Sequence, residues 1–175
     1  MTTPRVVDRQ APATQAEDPP QELVIIEDSL EYADLVQEML RAGWTQPVRF
    51  HHFQLLAGAR AHLRASPSAC ILLDLSLPDA NGLDALTELQ AAAPQTPIVV
   101  LTGSDDEALG LTAVQLGAQD YLIKGRVDRE LIVRSVRFAI ERRRAEQARH
   151  QSLHDPLTGL PNRTLFFDHL ELSLA

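Results

Sequence analysis

The chain has 175 residues, 45% hydrophobic and 23% charged, with a net charge of −8 when the histidines are neutral. That is room for one full domain plus something smaller, with enough apolar residues to bury a core. The acidic balance argues against a general nucleic-acid binder, which needs a basic face.

Residues 1–21 are rich in Pro, Ala, Gln and charge and show no periodicity, so a disordered leader is expected. They lack the apolar segment of a signal peptide, and no stretch of the chain is apolar for long enough to span a bilayer. A cytoplasmic protein without a membrane part is therefore expected. LVIIE (23–27) then reads as a strand buried on both faces. Residues 31–42 place Tyr32, Leu35, Val36, Met39 and Leu40 at helical spacing, with Gly43 as a stop. VRFHHF (48–53) reads as a second strand, and 54–65 as a second helix with Leu55, Leu56, Ala59 and Leu63 on one face. ACILLD (69–74) is a third strand, in which the single cysteine, Cys70, is expected to be a small core residue. One cysteine forms no disulfide within the chain, which fits a reducing compartment.

The turn cluster LPDANG (77–82) leads into a short helix to about Ala92, and PIVVLT (97–102) is a fourth strand. Residues 106–116 form a fourth helix with Leu109, Thr112, Ala113 and Leu116 on one face. QDYLIK (119–124) is a fifth strand, and a long helix starts near Asp128. Five strands alternating with helices imply an α/β fold, a doubly wound parallel sheet covered on both faces.

Ligands in such sheets sit outside the C-terminal ends of the strands. Strand one delivers Glu27 and Asp28 to that rim, strand three Asp74, strand four Thr102 and strand five Lys124. Three carboxylates brought together repel, and a hard divalent cation such as Mg²⁺ relieves this through oxygen ligands. Acids, metal, hydroxyl and ammonium together suit a phosphoryl group, with an aspartate as nucleophile. Singly, each residue also has a structural reading. Asp28 and Ser29 can cap the first helix, Lys124 can lie on the surface, and Tyr121 can be a core aromatic. Their joint placement on one rim is what points to a site.

The stretch 23–126 resembles a response-regulator receiver domain of two-component signalling. The resemblance rests on the acidic pair in LVIIEDS, the aspartate in ILLDLSLPDANG with Pro78 and Gly82 at the usual offsets, the hydroxyl in VVLTG and the lysine in GAQDYLIKG. It implies a flavodoxin-like strand order 2-1-3-4-5 and an extended C-terminal helix. It further implies that Asp74 accepts a phosphoryl group from a histidine kinase or phosphotransfer protein. Glu27, Asp28, Asp74 and the backbone carbonyl of Ser76 would serve Mg²⁺. Thr102 would bond the phosphoryl group, Tyr121 would turn inward behind it, and Lys124 would pair with the phosphoryl oxygens. The first acid is Glu27 where Asp is commonest, and Gly125 stands where many receivers have a cis proline. Haloacid-dehalogenase-like phosphatases use similar parts, but they need a second acid two residues after the nucleophile, where this chain has Ser76. The six histidines suggest no metal cluster: His51 and His52 point to opposite faces of a strand, and no further ligand joins His150 and His154. Surface histidines are expected.

Residues 128–152 read as one long helix, amphipathic through Leu131, Ile132, Val136, Phe138, Ala139 and Ile140 and then polar all round in ERRRAEQARHQ. A polar helix of this kind usually bridges domains or pairs in a dimer. The following LHDPLTGLPNR resembles the opening of a GGDEF-type diguanylate cyclase domain, through Asp155, Leu157, Thr158, Gly159, Leu160, Asn162 and Arg163. The rest of such a domain does not follow, so no cyclase activity is expected of these residues. The resulting expectation is a leader (1–21), a receiver (22–127), a signalling helix (128–152) and the truncated start of a GGDEF-type domain (153–175). The function expected is a phosphorylation-controlled receiver governing a cyclic di-GMP output, with or without an EAL phosphodiesterase. No DNA partner is expected, and a homodimer is expected through the helix 4/strand 5/helix 5 face or the long helix. The alternative is an interaction or dimerisation module that works without phosphate.

Overall fold

The computed structural model describes residues 19–103 and 107–153. The strands are β1 (Gln21–Ile26), β2 (Val48–Phe53), β3 (Cys70–Asp74), β4 (Ile98–Thr102) and β5 (Asp120–Ile123). The helices are α1 (Leu30–Gly43), α2 (Leu56–Ala65), α3 (Gly82–Ala92), α4 (Glu107–Gln115) and α5 (Arg129–Leu153). All strand pairings are parallel, in the order β2-β1-β3-β4-β5. This is the doubly wound sheet expected from the alternation of strands and helices, in the flavodoxin-like order that the receiver resemblance implies.

Side chains alternate across the pleat, so each central strand feeds two cores. Val24, Ile26, Ile71, Leu73, Ile98 and Val100 pack with α2, α3 and Ala113 of α4 on one face. Leu23, Ile25, Cys70, Leu72, Val99 and Leu101 pack with α1 and α5 on the other. β3 and β4 are buried along their whole length, which is why they read as unbroken apolar runs. Cys70 is fully buried, and burial pushes its thiol up to about 12.

Several local expectations are corrected. β1 begins at Gln21, inside the stretch read as leader, because its backbone N–H bonds to Pro47 and its side chain to Gln46. α2 starts at Leu56, two residues late, because the Asp79 carboxylate accepts from the N–H groups of Leu56 (2.9 Å) and Ala57 (3.0 Å). Leu35, Leu55, Leu116 and Phe138 were placed on apolar faces but are 48%, 47%, 49% and 66% exposed. Helical spacing marks a stripe wider than the sheet covers, so its flanks remain in solvent. The second half of α5 is polar, and part of it is tied to the body of the domain. The Arg143 guanidinium donates to the carbonyls of Pro94 (2.6 Å) and Gln95 (3.1 Å), and Gln147 reaches Gln95 Oε1. The leader up to residue 18, His154, the motif at 155–163 and the apolar residues after it lie outside the described residues.

Candidate functional site

The site is built at the end of the β1 and β3 ladders. Pairing of β1 stops at Ile26, opposite Phe53 and Leu73, and the chain turns toward α1. Glu27 follows at once and is fully buried, whereas Asp28 beside it is exposed. Ser29 caps α1 through its hydroxyl, which accepts from the Tyr32 N–H at 3.3 Å. Its own N–H donates to Glu27 Oε1 at 3.3 Å. One short turn thus starts a helix and aims two carboxyl groups. On β3, Asp74 is 1% exposed, and its Oδ1 accepts from the Ser76 N–H at 3.0 Å.

Lys124, just past β5, closes the site. Its Nζ lies 2.6 Å from Glu27 Oε2 and 2.9 Å from Asp74 Oδ2. Burial works against the charge on this lysine, but the hydrogen bonds to Glu27 and Asp74 outweigh it and hold the ammonium above the usual lysine range. Burial raises the Glu27 carboxyl above the usual carboxylate range; the Lys124 bond opposes this and the Asp74 charge adds to it. The ring of Tyr32 covers the ammonium, with Nζ 4.9 Å from its centroid. Carboxyl oxygens of Glu27, Asp28 and Asp74 lie within 4.8 Å of one another. An all-oxygen set with one exposed member fits a hard divalent cation, which binds through one or two carboxylates and keeps several waters.

Thr102, at the end of β4, is 1% exposed and donates to the Gly103 carbonyl at 3.3 Å. Tyr121 is half-buried and packs against the core beneath α2, α3 and α4. Its ring lies over Gly110 of α4, where a Cβ would come 2.4 Å from Cδ2. After Lys124, Gly125 takes φ +81°, a conformation open to glycine at no steric cost, and no cis peptide bond occurs among the described residues. The fold therefore gathers Glu27, Asp28, Asp74 and Lys124 into one cluster, with the Ser76 backbone bonded to Asp74. Thr102 and Tyr121 stand on the adjacent strands.

Against known proteins, the model of the response regulator receiver domain matches residues 23–137. The chain belongs to the response regulator receiver domain family. It is 34% identical over 152 residues to the transcriptional regulatory protein CpxR of Klebsiella pneumoniae, covering 86% of this chain and 60% of that one. It is 28% identical over 153 residues to the transcriptional regulatory protein SrrA of Staphylococcus aureus, covering 86% of this chain and 58% of that one. The chain thus spans less than two-thirds of these relatives. Among solved structures, a response regulator receiver domain protein from Clostridium thermocellum superposes with a TM-score of 0.63 at 21% identity. That match covers 72% of this chain and 98% of the other, and is a likeness of fold. The receiver is thus a two-component signalling module, and no described helix is long and apolar enough to cross a membrane.

Four contributors around this receiver site were not singled out from the sequence. Tyr32 was read only as part of a helix stripe, and Asp79 only as a turn residue. His52 and Gln54, on β2 and just after it, bond backbone carbonyls of the acidic turn. Of the histidines expected at the surface, His51, His52 and His62 are only partly exposed. His51 bonds Glu22 at 2.6 Å, and its ring centroid lies 4.3 Å from that of His62.

Proposed function

We propose that the chain is a phosphoacceptor receiver in which Asp74 takes a phosphoryl group from the phosphohistidine of a histidine kinase or phosphotransfer protein. The observation that carries this reading is the buried Asp74 carboxylate held at 2.9 Å by Lys124, beside the carboxyl groups of Glu27 and Asp28. An Asp74 oxygen attacks phosphorus, the phosphorus–nitrogen bond breaks, and the histidine leaves with the electron pair. An acyl phosphate remains on Asp74. Glu27, Asp28, Asp74 and the Ser76 carbonyl are the groups proposed to hold Mg²⁺, which supplies positive charge against the phosphoryl oxygens when bound. Lys124 moves from pairing carboxylates to pairing phosphoryl oxygens, and the Thr102 hydroxyl donates to them. The phosphoryl group carries about two negative charges in place of the single charge of the Asp74 carboxylate. Ordering this shell biases the face of α4, β5 and α5, with Thr102 and Tyr121 as the switch residues.

Incubation with Mg²⁺ and acetyl phosphate tests this. The parent chain is expected to take up label and Asp74→Asn to take up none. Equal labelling of both would remove Asp74 as the acceptor.

For the output, the motif at 155–163 supports control of cyclic di-GMP chemistry. In that division, 22–127 is the receiver, 128–152 the signalling helix and 153–175 the start of a GGDEF-type domain. The names of the relatives, both transcriptional regulatory proteins, favour a second reading in which the output acts on DNA, and they lend no support to the absence of a DNA partner. GTP turnover by the full-length protein, against DNA retention by the same preparation, decides between them. The exposed Leu111, Val114 and Leu116 on and after α4 support a homodimer through that face. A partner bound equally by parent and Asp74→Asn would instead favour a module that works without phosphate.

A further inference from the structure

We infer that His52 and Gln54, at the end of the edge strand β2, are positioning residues that fix the acidic turn carrying Glu27 and Asp28. His52 Nε2 lies 2.7 Å from the Glu27 carbonyl oxygen, and Gln54 Nε2 donates to the Asp28 carbonyl at 3.0 Å. Both contacts join side chains at and just after the end of β2 to backbone oxygens of the two acids, not to their carboxyl groups.

The turn needs this help. The β1 ladder ends at Ile26, and the last backbone bond across to β2 is from the Glu27 N–H to the Phe53 carbonyl at 3.0 Å. The two carbonyls that follow lie past both ladders. The part-buried Glu27 carbonyl must find a donor, which His52 of β2 supplies, while Gln54, the residue after β2, serves the more exposed Asp28 carbonyl. The turn also carries like charges, which push its carboxyl groups apart. A cation site tolerates little drift in its ligands, and residues that orient ligands from behind typically contribute 10–100-fold in affinity. His52 suits the task because it is half-buried on a strand and has few side-chain torsions to fix. The contact to a carbonyl requires the Nε2–H form of its ring. Its neighbour His51 points to the other face and serves Glu22 instead. Gln54 is exposed and contributes less.

The inference rests on reading the acid cluster as the Mg²⁺ site, and the experiment separates the two. Mg²⁺ is titrated calorimetrically into the full chain and into His52→Leu, His52→Gln, Gln54→Leu and Asp28→Asn, with folding checked by circular dichroism. Asp28→Asn is expected to abolish binding, which upholds the metal site. His52→Leu is expected to weaken binding about tenfold. His52→Gln, which keeps a donor, is expected to recover most of the affinity, and Gln54→Leu to lose a few-fold. Without metal, the Ser29 amide is expected to exchange faster in His52→Leu. Parent-like Mg²⁺ affinity and Ser29 exchange in a folded His52→Leu, alongside an inactive Asp28→Asn, would overturn the positioning role alone. Undiminished affinity in Asp28→Asn would overturn the metal reading and this inference with it. Should His52→Leu not fold, Gln54→Leu decides: unchanged affinity there counts against the inference and reduced affinity for it.

Discussion

The two ends of the sheet are held together by different physics. At the C-terminal ends of the strands, Glu27 and Asp74 are buried with charge and depend on Lys124. At the opposite end, Arg143 of α5 is pinned to the α3–β4 loop through the Pro94 and Gln95 carbonyls. The first arrangement is costly to desolvate and sensitive to one added charge; the second has neutral acceptors that no phosphoryl group would touch. The asymmetry suits the phosphoacceptor role proposed above, in which the site end would respond to an added charge while the far end keeps α5 in place.

The sharpest way to break the comparison is Lys124→Ala. It leaves two buried carboxyl groups facing one another, and a loss of about 3 kcal/mol is expected in metal-free urea denaturation. A loss no larger than that of an exposed lysine would mean that the site end is not held by charge. Next is Gly110→Val, which asks whether the site end reaches α4 through Tyr121. The added Cβ would sit 2.4 Å from the ring, so the ring or helix must shift. A cost of about 2 kcal/mol and a changed Tyr121 fluorescence signature are expected. At the far end, Arg143→Ala is expected to cost about 1 kcal/mol and to speed amide exchange over 141–149, leaving Mg²⁺ affinity unchanged. A change in Mg²⁺ affinity would show that the two ends are coupled. The smallest effect concerns Cys70, the first residue of β3, at the end of that strand away from Asp74. Its folded pKa, about 12, lies above that of the unfolded thiol. Its contribution is therefore complete below about pH 8.5 and shrinks as pH rises, by at most about 1.4 kcal/mol per unit. Cys70→Ala is expected to flatten this alkaline slope, and the native thiol to resist alkylation until the chain unfolds.

The strands were legible because burial on both faces leaves long apolar runs such as ILLD and IVVLT, and the rim residues followed from where those runs stop. What was hidden lies in contacts between distant segments. Asp79 caps a helix that begins 23 residues earlier, at Leu56, and His52 reaches a carbonyl 25 residues away. No period in the sequence encodes such a contact, because it depends on which strand end lies beside which turn. Phe138 misled for the opposite reason: its spacing matched the stripe, but α5 crosses the sheet so that its ring points to solvent.

The strand order carries a kinetic consequence. β1 pairs with β3, and α1, β2 and α2 all lie between them in the chain. No adjacent pair of strands is joined by a hairpin, so the centre of the sheet cannot nucleate locally. Closing that long loop loses chain entropy before any pairing is gained. Such a chain is expected to fold in milliseconds to seconds rather than microseconds, with helices flickering ahead of the sheet that must order them.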